Sequence, residues 1–349
     1  MELRQLGNSG LRVHPIGMGC WAYGGGSYWG AQSQKDVNAV VSVALDHGVN
    51  LFDTAEMYNG GKSEIALGHA LGKRRREAVI LTKISPQNCR KGLIEAHCDA
   101  SLKRLGTDYI DCYVIHWPFH RHSLEHLTDR PELLEPIDPG EAFFALNRLV
   151  EAGKIRAVGV SNFGIKQLEE AFACGAKLCV NEITYNLLSR AIEKEILPFC
   201  IDHHISVVGS MTLQQGLLAG IYNSPDKVPL AQAHSKHFAA FRGGGQSRHH
   251  GSGVEKELFE ALDGIKQIAS EQRLDIAQLS IAWALSKRGI AAALVGSRRL
   301  SDLQSNLGAG EIILDQTVIN RLEQLTQPVL DKLGYCADYY EDDERSRIF

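Results

Sequence analysis

The chain has 349 residues, 44% of them hydrophobic and 22% charged, which is ordinary globular composition with enough apolar material for two domains or one large α/β barrel. A net charge of −4 speaks against nucleic acid or an anionic membrane surface as a partner, and no apolar run is long enough to span a bilayer. The opening MELRQLGNSGLRVHPIGMG lacks the apolar core of a signal peptide, and the eight cysteines show no two-residue spacing of a zinc or redox pair, so a reduced, cytoplasmic protein is expected.

In chain order, residues 1–14 predict a hairpin turning at NSG (8–10). Short apolar strands then alternate with longer helical patterns. The strands are IGMG (16–19), NLFD (50–53), AVILT (78–82), YIDCYVIH (109–116), RAVGV (156–160), LCVNE (178–182), ISVVGS (205–210) and AAALVG (291–296). Helical spacing of apolar residues marks 35–47, 62–71, 90–105, 140–152, 164–174, 189–202 and 275–288. Strands of four to eight residues that are apolar on both faces belong in a parallel sheet covered by helices. Eight such units predict a (β/α)8 barrel with an N-terminal hairpin cap, and a doubly wound sheet is the runner-up. The whole of 1–349 reads as one barrel domain, with a core of about 1–325 and a tail at 326–349. Residues 117–139 and 222–254 fall outside the repeat. Both follow strands, which in a barrel places them on the C-terminal face; a disordered insertion is the alternative for 243–253.

Four polar side chains stand at or just beyond strand ends: Asp53, Tyr58, Lys83 and His116. In a barrel all four converge on one mouth. Each alone reads as a cap, a solvated strand end or a satisfied histidine, but together they suit proton transfer coupled to hydride transfer. A phenol is a poor acid at neutral pH. A nearby ammonium lowers its pKa, a buried carboxylate keeps that ammonium charged, and a neutral histidine orients a carbonyl oxygen.

The segments GVNLFDTAEMYNGGKSEIALGHAL, VILTKI, YVIHWP, LVEAGKIRAVGVSNF and YNLLSR resemble the aldo-keto reductase family, in that family's order and over nearly the whole chain. The resemblance implies a nicotinamide cofactor, no metal, and Asp53, Tyr58, Lys83 and His116 as catalytic tetrad with Tyr58 as general acid. It implies that Ser161 and Asn162 hold the nicotinamide carboxamide. It also implies that GSRRLSDLQSN, with Gly296, Arg298, Arg299, Asp302 and Asn306, wraps the adenosine end. No GxGxxG opens a helix, which argues against a Rossmann site; YGGGSYWG (23–30) reads as a loop over the substrate and RGGGQ (242–246) as a linker. Three positions depart from the family. Glu182 stands where glutamine is usual, Ser210 where a stacking tyrosine is common, and Asp302 where glutamine or arginine is frequent. Arg298 and Arg299 favour NADP(H) and Asp302 favours NAD(H); the balance leans to NADP(H).

Trp21, Tyr23, Tyr28, Trp29 and Trp117 fall in mouth loops and suit a sugar or another polyhydroxylated carbonyl compound, a plain apolar wall being the alternative. His120, His122, His126, His249 and His250 lack regular ligand spacing and read as polar loop. The expected function is hydride transfer between a nicotinamide cofactor and a small-molecule carbonyl or alcohol. The alternatives are a redox-neutral epimerase or isomerase with tightly held NAD(P), and a cofactor-sensing regulatory subunit.

Overall fold

The computed structural model describes residues 2–128 and 130–349. Met1, at the head of the expected hairpin, and Asp129, inside the expected loop 117–139, lie outside the described residues. The hairpin pairs β1 (Arg4–Gln5) with β2 (Arg12–Val13), antiparallel. Eight parallel strands follow: β3 (Ile16–Gly19), β4 (Leu51–Asp53), β5 (Val79–Ile84), β6 (Ile110–Ile115), β7 (Ile155–Ser161), β8 (Leu178–Thr184), β9 (Ser206–Ser210) and β10 (Ile290–Val295). They close in chain order, with β10 paired back to β3. The predicted barrel is what the chain forms, and every strand read from the sequence is present.

The strands form because both of their faces are covered. Every residue of β5 and β6 is buried, the outward side chains by helices and the inward ones by each other. The helices are α1 (Gln34–Asp46), α2 (Lys62–Leu71), α3 (Ile94–Leu105), α4 (Arg121–Leu127), α5 (Pro139–Glu151), α6 (Ile165–Ala173), α7 (Ile196–Asp202), α8 (Glu255–Gln272), α9 (Ile276–Leu285), α10 (Leu300–Leu307) and α11 (Gln316–Leu333). Ser33 caps α1 by accepting from the Asp36 N–H at 3.1 Å, and Asp138 caps α5 ahead of Pro139.

The hairpin plugs the bottom of the barrel. Leu6, Leu11 and Val13 pack with Leu51, Leu81, Cys112, Cys179 and Val208, each buried side chain contributing roughly 1.5–3 kcal/mol. Gly7 makes this approach possible: its φ is +52°, and a Cβ there would lie 2.3 Å from the Cys179 carbonyl oxygen.

Two sequence-based boundaries shift. The division at 325/326 falls inside α11, which continues through Pro328 to Leu333, so the chain has no break there. RGGGQ is not a linker. Gly243 lies in a turn over Ala240–Gly243, packed so closely that a Cβ would sit 2.1 Å from Ser247 Oγ and 3.0 Å from His234 Cβ. The surrounding stretch buries Phe238, His237 and His249, which ties it to the barrel.

Candidate active site

Chain geometry at three adjacent strand ends assembles the site. Asp53 is the last residue of β4, Lys83 lies near the end of β5, and His116 directly follows β6. Tyr58 opens a short helical turn, Tyr58–Gly61, that swings back over the mouth. The register pairs Asp53 with Leu81, so Lys83, two residues further along β5, faces the same side of the sheet, and both polar groups stand above an apolar barrel interior.

Lys83 is the hub. It is fully buried, and its Nζ donates to Asp53 Oδ1, to the Thr54 carbonyl at 3.1 Å and to Tyr58 Oη at 3.3 Å. Glu182 Oε1 lies 3.3 Å from the same nitrogen. The His116 ring stands edge-on to Tyr58 with centroids 5.5 Å apart. Burial alone would discharge Lys83, but its neighbours, Asp53 foremost, hold its pKa above the usual lysine value, so the ammonium persists. Burial and the neighbouring Lys83 charge push His116 well below its ordinary pKa, which leaves a neutral imidazole. For Tyr58 the sign differs from the sequence expectation. Burial raises the phenol's pKa above its ordinary value, and Lys83 offsets only part of that rise. The phenol therefore stays protonated until a reaction draws on it, the state a proton donor requires.

A cleft of about 450 Å³ opens above these groups. Trp21, Tyr28, Tyr58, His116, Trp117, Ser161, Asn162, Glu182 and Ser210 line it. Ser161 Oγ donates to the Glu182 carbonyl at 2.9 Å and accepts from Asn162 Nδ2 at 2.9 Å; the same Nδ2 reaches the His116 carbonyl at 3.1 Å. Asn162 adopts φ +62°, and Met211, Gln214 and Gln215 after β9 are also left-handed, so backbone strain gathers at the cleft edge. Tyr23 and Trp29 do not line the cleft. Tyr23 is 1% exposed in the core, and Trp29 packs edge-on against Trp21 and Tyr28. Tyr28 takes the wall position, its hydroxyl accepting from Gln215 Nε2 at 2.7 Å and donating to the Ala231 carbonyl at 2.9 Å.

The residues expected at the adenosine end form a separate group after β10. Asp302 accepts from the Arg299 N–H at 3.2 Å and so caps α10, which starts at Leu300. Arg298 donates to Gln32 Oε1 at 3.0 Å and to the Ala31 carbonyl at 2.7 Å, and its guanidinium thus clasps the loop after β3. Arg299 is exposed, and Asn306 is buried against Ser297 Oγ at 3.3 Å. A Cβ on Gly296 would meet nothing within 4 Å.

Sequence reading missed more than half of the cleft wall. Ala337, Asp338, Tyr339, Tyr340, Arg347 and Ile348, all from the expected tail, line it together with His126, His234 and Arg248. Arg347 is held by Asp338 through two bonds of 2.7 Å and lies 3.9 Å over the Trp117 ring. Asp338 sits below the usual carboxylate pKa, because Arg347 outweighs the upward push of burial. Burial lowers the pKa of both His126 and His234, leaving them neutral. Among the described residues no group of three His, Cys, Asp or Glu is placed to hold a metal ion, and no helix is long and apolar enough to cross a membrane. A shallower basic groove of about 540 Å³, lined by Lys73, Arg75, Arg76 and Lys103, lies at the N-terminal ends of the strands, opposite the chemistry-bearing face.

Residues 15–327 match the model of the aldo/keto reductase family. The chain is 31% identical to a probable voltage-gated potassium channel subunit beta from Arabidopsis thaliana, across 94% of this chain and 97% of that one. It is 29% identical to the NADH-specific methylglyoxal reductase of Escherichia coli, across 94% and 99%. A solved aldo/keto reductase from Klebsiella pneumoniae, in complex with NADP and acetate, superposes with a TM-score of 0.70 at 25% identity, covering 100% of this chain and 99% of that one. Barrel, tetrad geometry and family match agree: the chain belongs to the aldo/keto reductase family.

Proposed function

We propose that this protein interconverts a polyhydroxylated aldehyde or ketone and its alcohol, with Tyr58 as proton donor and acceptor and NADP(H) as the preferred hydride carrier. The observation that carries the reading is the Lys83 hub, one buried ammonium bonded at once to Asp53 and to the Tyr58 hydroxyl.

A nicotinamide, when bound, supplies or accepts the hydride. Ser161, Asn162, Glu182 and Ser210 line the cleft beside the tetrad and would hold its carboxamide end, and Glu182 Oε2 is a buried oxygen without a partner. His116, neutral, hydrogen-bonds the substrate carbonyl oxygen and fixes its orientation. As the hydride reaches the carbonyl carbon, Tyr58 Oη gives its proton to that oxygen. The phenolate so formed lies 3.3 Å from the Lys83 ammonium, which stabilises it until solvent restores the proton.

The cleft walls favour a neutral polyol. Trp21 and Tyr28 stack at 5.0 Å and line the cleft together with Trp117, surfaces that suit the apolar faces of a sugar. Arg347 is neutralised by Asp338, and Arg248 by Glu341 at 3.3 Å, which leaves donors and acceptors without a net cation for an anionic substrate. The NADP-bound Klebsiella relative and the exposed Arg299 support NADP(H), whereas the Escherichia coli relative is named NADH-specific. One relative is named a channel subunit, but the intact tetrad favours a catalyst. Tyr58→Phe should retain cofactor affinity and lose at least about a hundredfold in turnover on an aldose or similar carbonyl compound. Near-normal turnover in that variant would remove Tyr58 from the chemistry.

A further inference from the structure

Glu182 poses a problem of charge and of hydrogen bonds. It is 4% exposed, stands on β8 and has the Lys83 ammonium as the cation in contact with it. The titratable groups that face it are Asp53 from β4, whose carboxyl lies within hydrogen-bond reach of it, Tyr58 from the turn beyond, Lys83 from β5 and Cys112 from β6. Ser161 on β7 and Val208 on β9, its register partners, bring no charge. An ammonium has three N–H donors. Asp53, the Thr54 carbonyl and Tyr58 already match that number, so the 3.3 Å approach of Glu182 is a fourth contact on a nitrogen with three protons. Glu182 lines the cleft, and its Oε2 is buried without a hydrogen-bond donor. A second ionised carboxylate here would be a buried charge with no donor of its own, a state that costs several kcal/mol in a protein interior.

A neutral carboxylic acid resolves both difficulties, and it has the shape and hydrogen-bonding repertoire of the glutamine that the family resemblance puts at this position. We propose that Glu182 carries a proton in the working enzyme, shared with the Asp53 carboxylate while the cleft is empty and presented to an amide or carbonyl oxygen of the ligand when one binds. Burial and the neighbouring Asp53 charge both act in this direction, lifting the Glu182 carboxyl well above the usual glutamate range. The inference rests on the reductase reading only for the identity of that ligand oxygen. It explains how a residue that could only accept as a carboxylate serves where a donor is needed.

The test is difference infrared spectroscopy of ligand-free wild type against E182Q at neutral pH, followed by titration with NADP(H) and with a carbonyl substrate. A protonated-carboxyl C=O band present in wild type and absent in E182Q is expected, and it should move when ligand is added. Movement on NADP(H) assigns the partner to the carboxamide oxygen, and movement only on substrate assigns it to the substrate oxygen. The wild-type dissociation constant for that ligand should rise about tenfold or more from neutral to alkaline pH, as the donor becomes a carboxylate, and E182Q should lack that step. Carboxylate bands alone at neutral pH, or a protonated band that neither ligand moves, would overturn the proposal. Because the first spectrum is taken without ligand, it stands or falls independently of the Tyr58 assignment.

Discussion

Replacing Lys83 with methionine isolates the charge that tunes Tyr58. Methionine keeps the apolar stem and removes the ammonium that lies 3.3 Å from Tyr58 Oη. At an effective dielectric of about 20, an ammonium and a phenolate at that distance attract by about 5 kcal/mol. That energy corresponds to a pKa change of roughly 3.7 units. Protonation of Asp53, left without its cation, returns part of it, so a net rise of about two units or more is expected for Tyr58. In the alcohol-oxidising direction the phenolate is the base, so the whole rising limb of the pH–rate profile should be displaced, read as a fall in oxidation rate of about a hundredfold at any fixed pH below the phenol's pKa. In the reducing direction turnover should fall at least about a hundredfold, because the phenolate left behind is less stable. The assay is initial rate against pH in both directions, with the thermal melt of the variant as a check of folding. A folded Lys83→Met protein with an unshifted profile would refute the reasoning and transfer the tuning of the phenol to another group.

Asp338→Asn leaves the buried Arg347 without its carboxylate and should destabilise the fold by about 3–5 kcal/mol at neutral pH. Because the folded Asp338 pKa is depressed, its contribution is complete above the ordinary aspartate value of about 3.9 and fades as pH falls through the lower folded value, so the melting temperatures of variant and wild type should converge in acid; equal melts at neutral pH would count against the ion pair. Arg299→Ala should narrow the preference for NADP(H) over NAD(H) by about tenfold, the scale of one charge-assisted bond, whereas Arg298→Ala, which opens the clasp on Ala31 and Gln32, should weaken both cofactors alike; a selective loss of NADP(H) in Arg298→Ala would reverse these roles. Hydrogen exchange in 222–254 should slow when cofactor is added, since His234, Gln246 and Arg248 border the cleft, and equal rates would mean that the stretch does not respond to it.

The barrel was legible because its rule is local. A strand covered on both faces must be apolar on both, and eight such runs alternate with helical spacing along the chain. Topology then did for the tetrad what no single motif does: once the strands are parallel and closed, Asp53, Lys83 and His116 at three consecutive strand ends have to share a mouth. The tail was illegible for the complementary reason. Arg347 reaches the cleft through its pairing with Asp338 and its seat over Trp117, contacts that leave no periodicity in the sequence. Helix α8 was different, since Leu258, Ala261, Leu262, Ile265, Ile268 and Ala269 repeat at helical spacing and were available to be read. Choosing among Tyr23, Tyr28 and Trp29 required knowing which way one glycine-rich loop turns, and glycines there permit more than one answer.

Glu182 marks the limit of sequence reading most sharply. Its departure from glutamine is visible at once, but its meaning depends on how many protons Lys83 has to give. That count needs coordinates, because Thr54 takes one of the three through a backbone carbonyl that no residue identity announces. With Thr54 and Tyr58 both satisfied, the ammonium supports one carboxylate, and Asp53 holds it. The second carboxyl is then best kept as an acid. On this argument a glutamate at the position is not a lost donor but a donor that alkaline pH can switch off, and the same three-bond count explains why Asp53, rather than Glu182, is the group that keeps Lys83 charged.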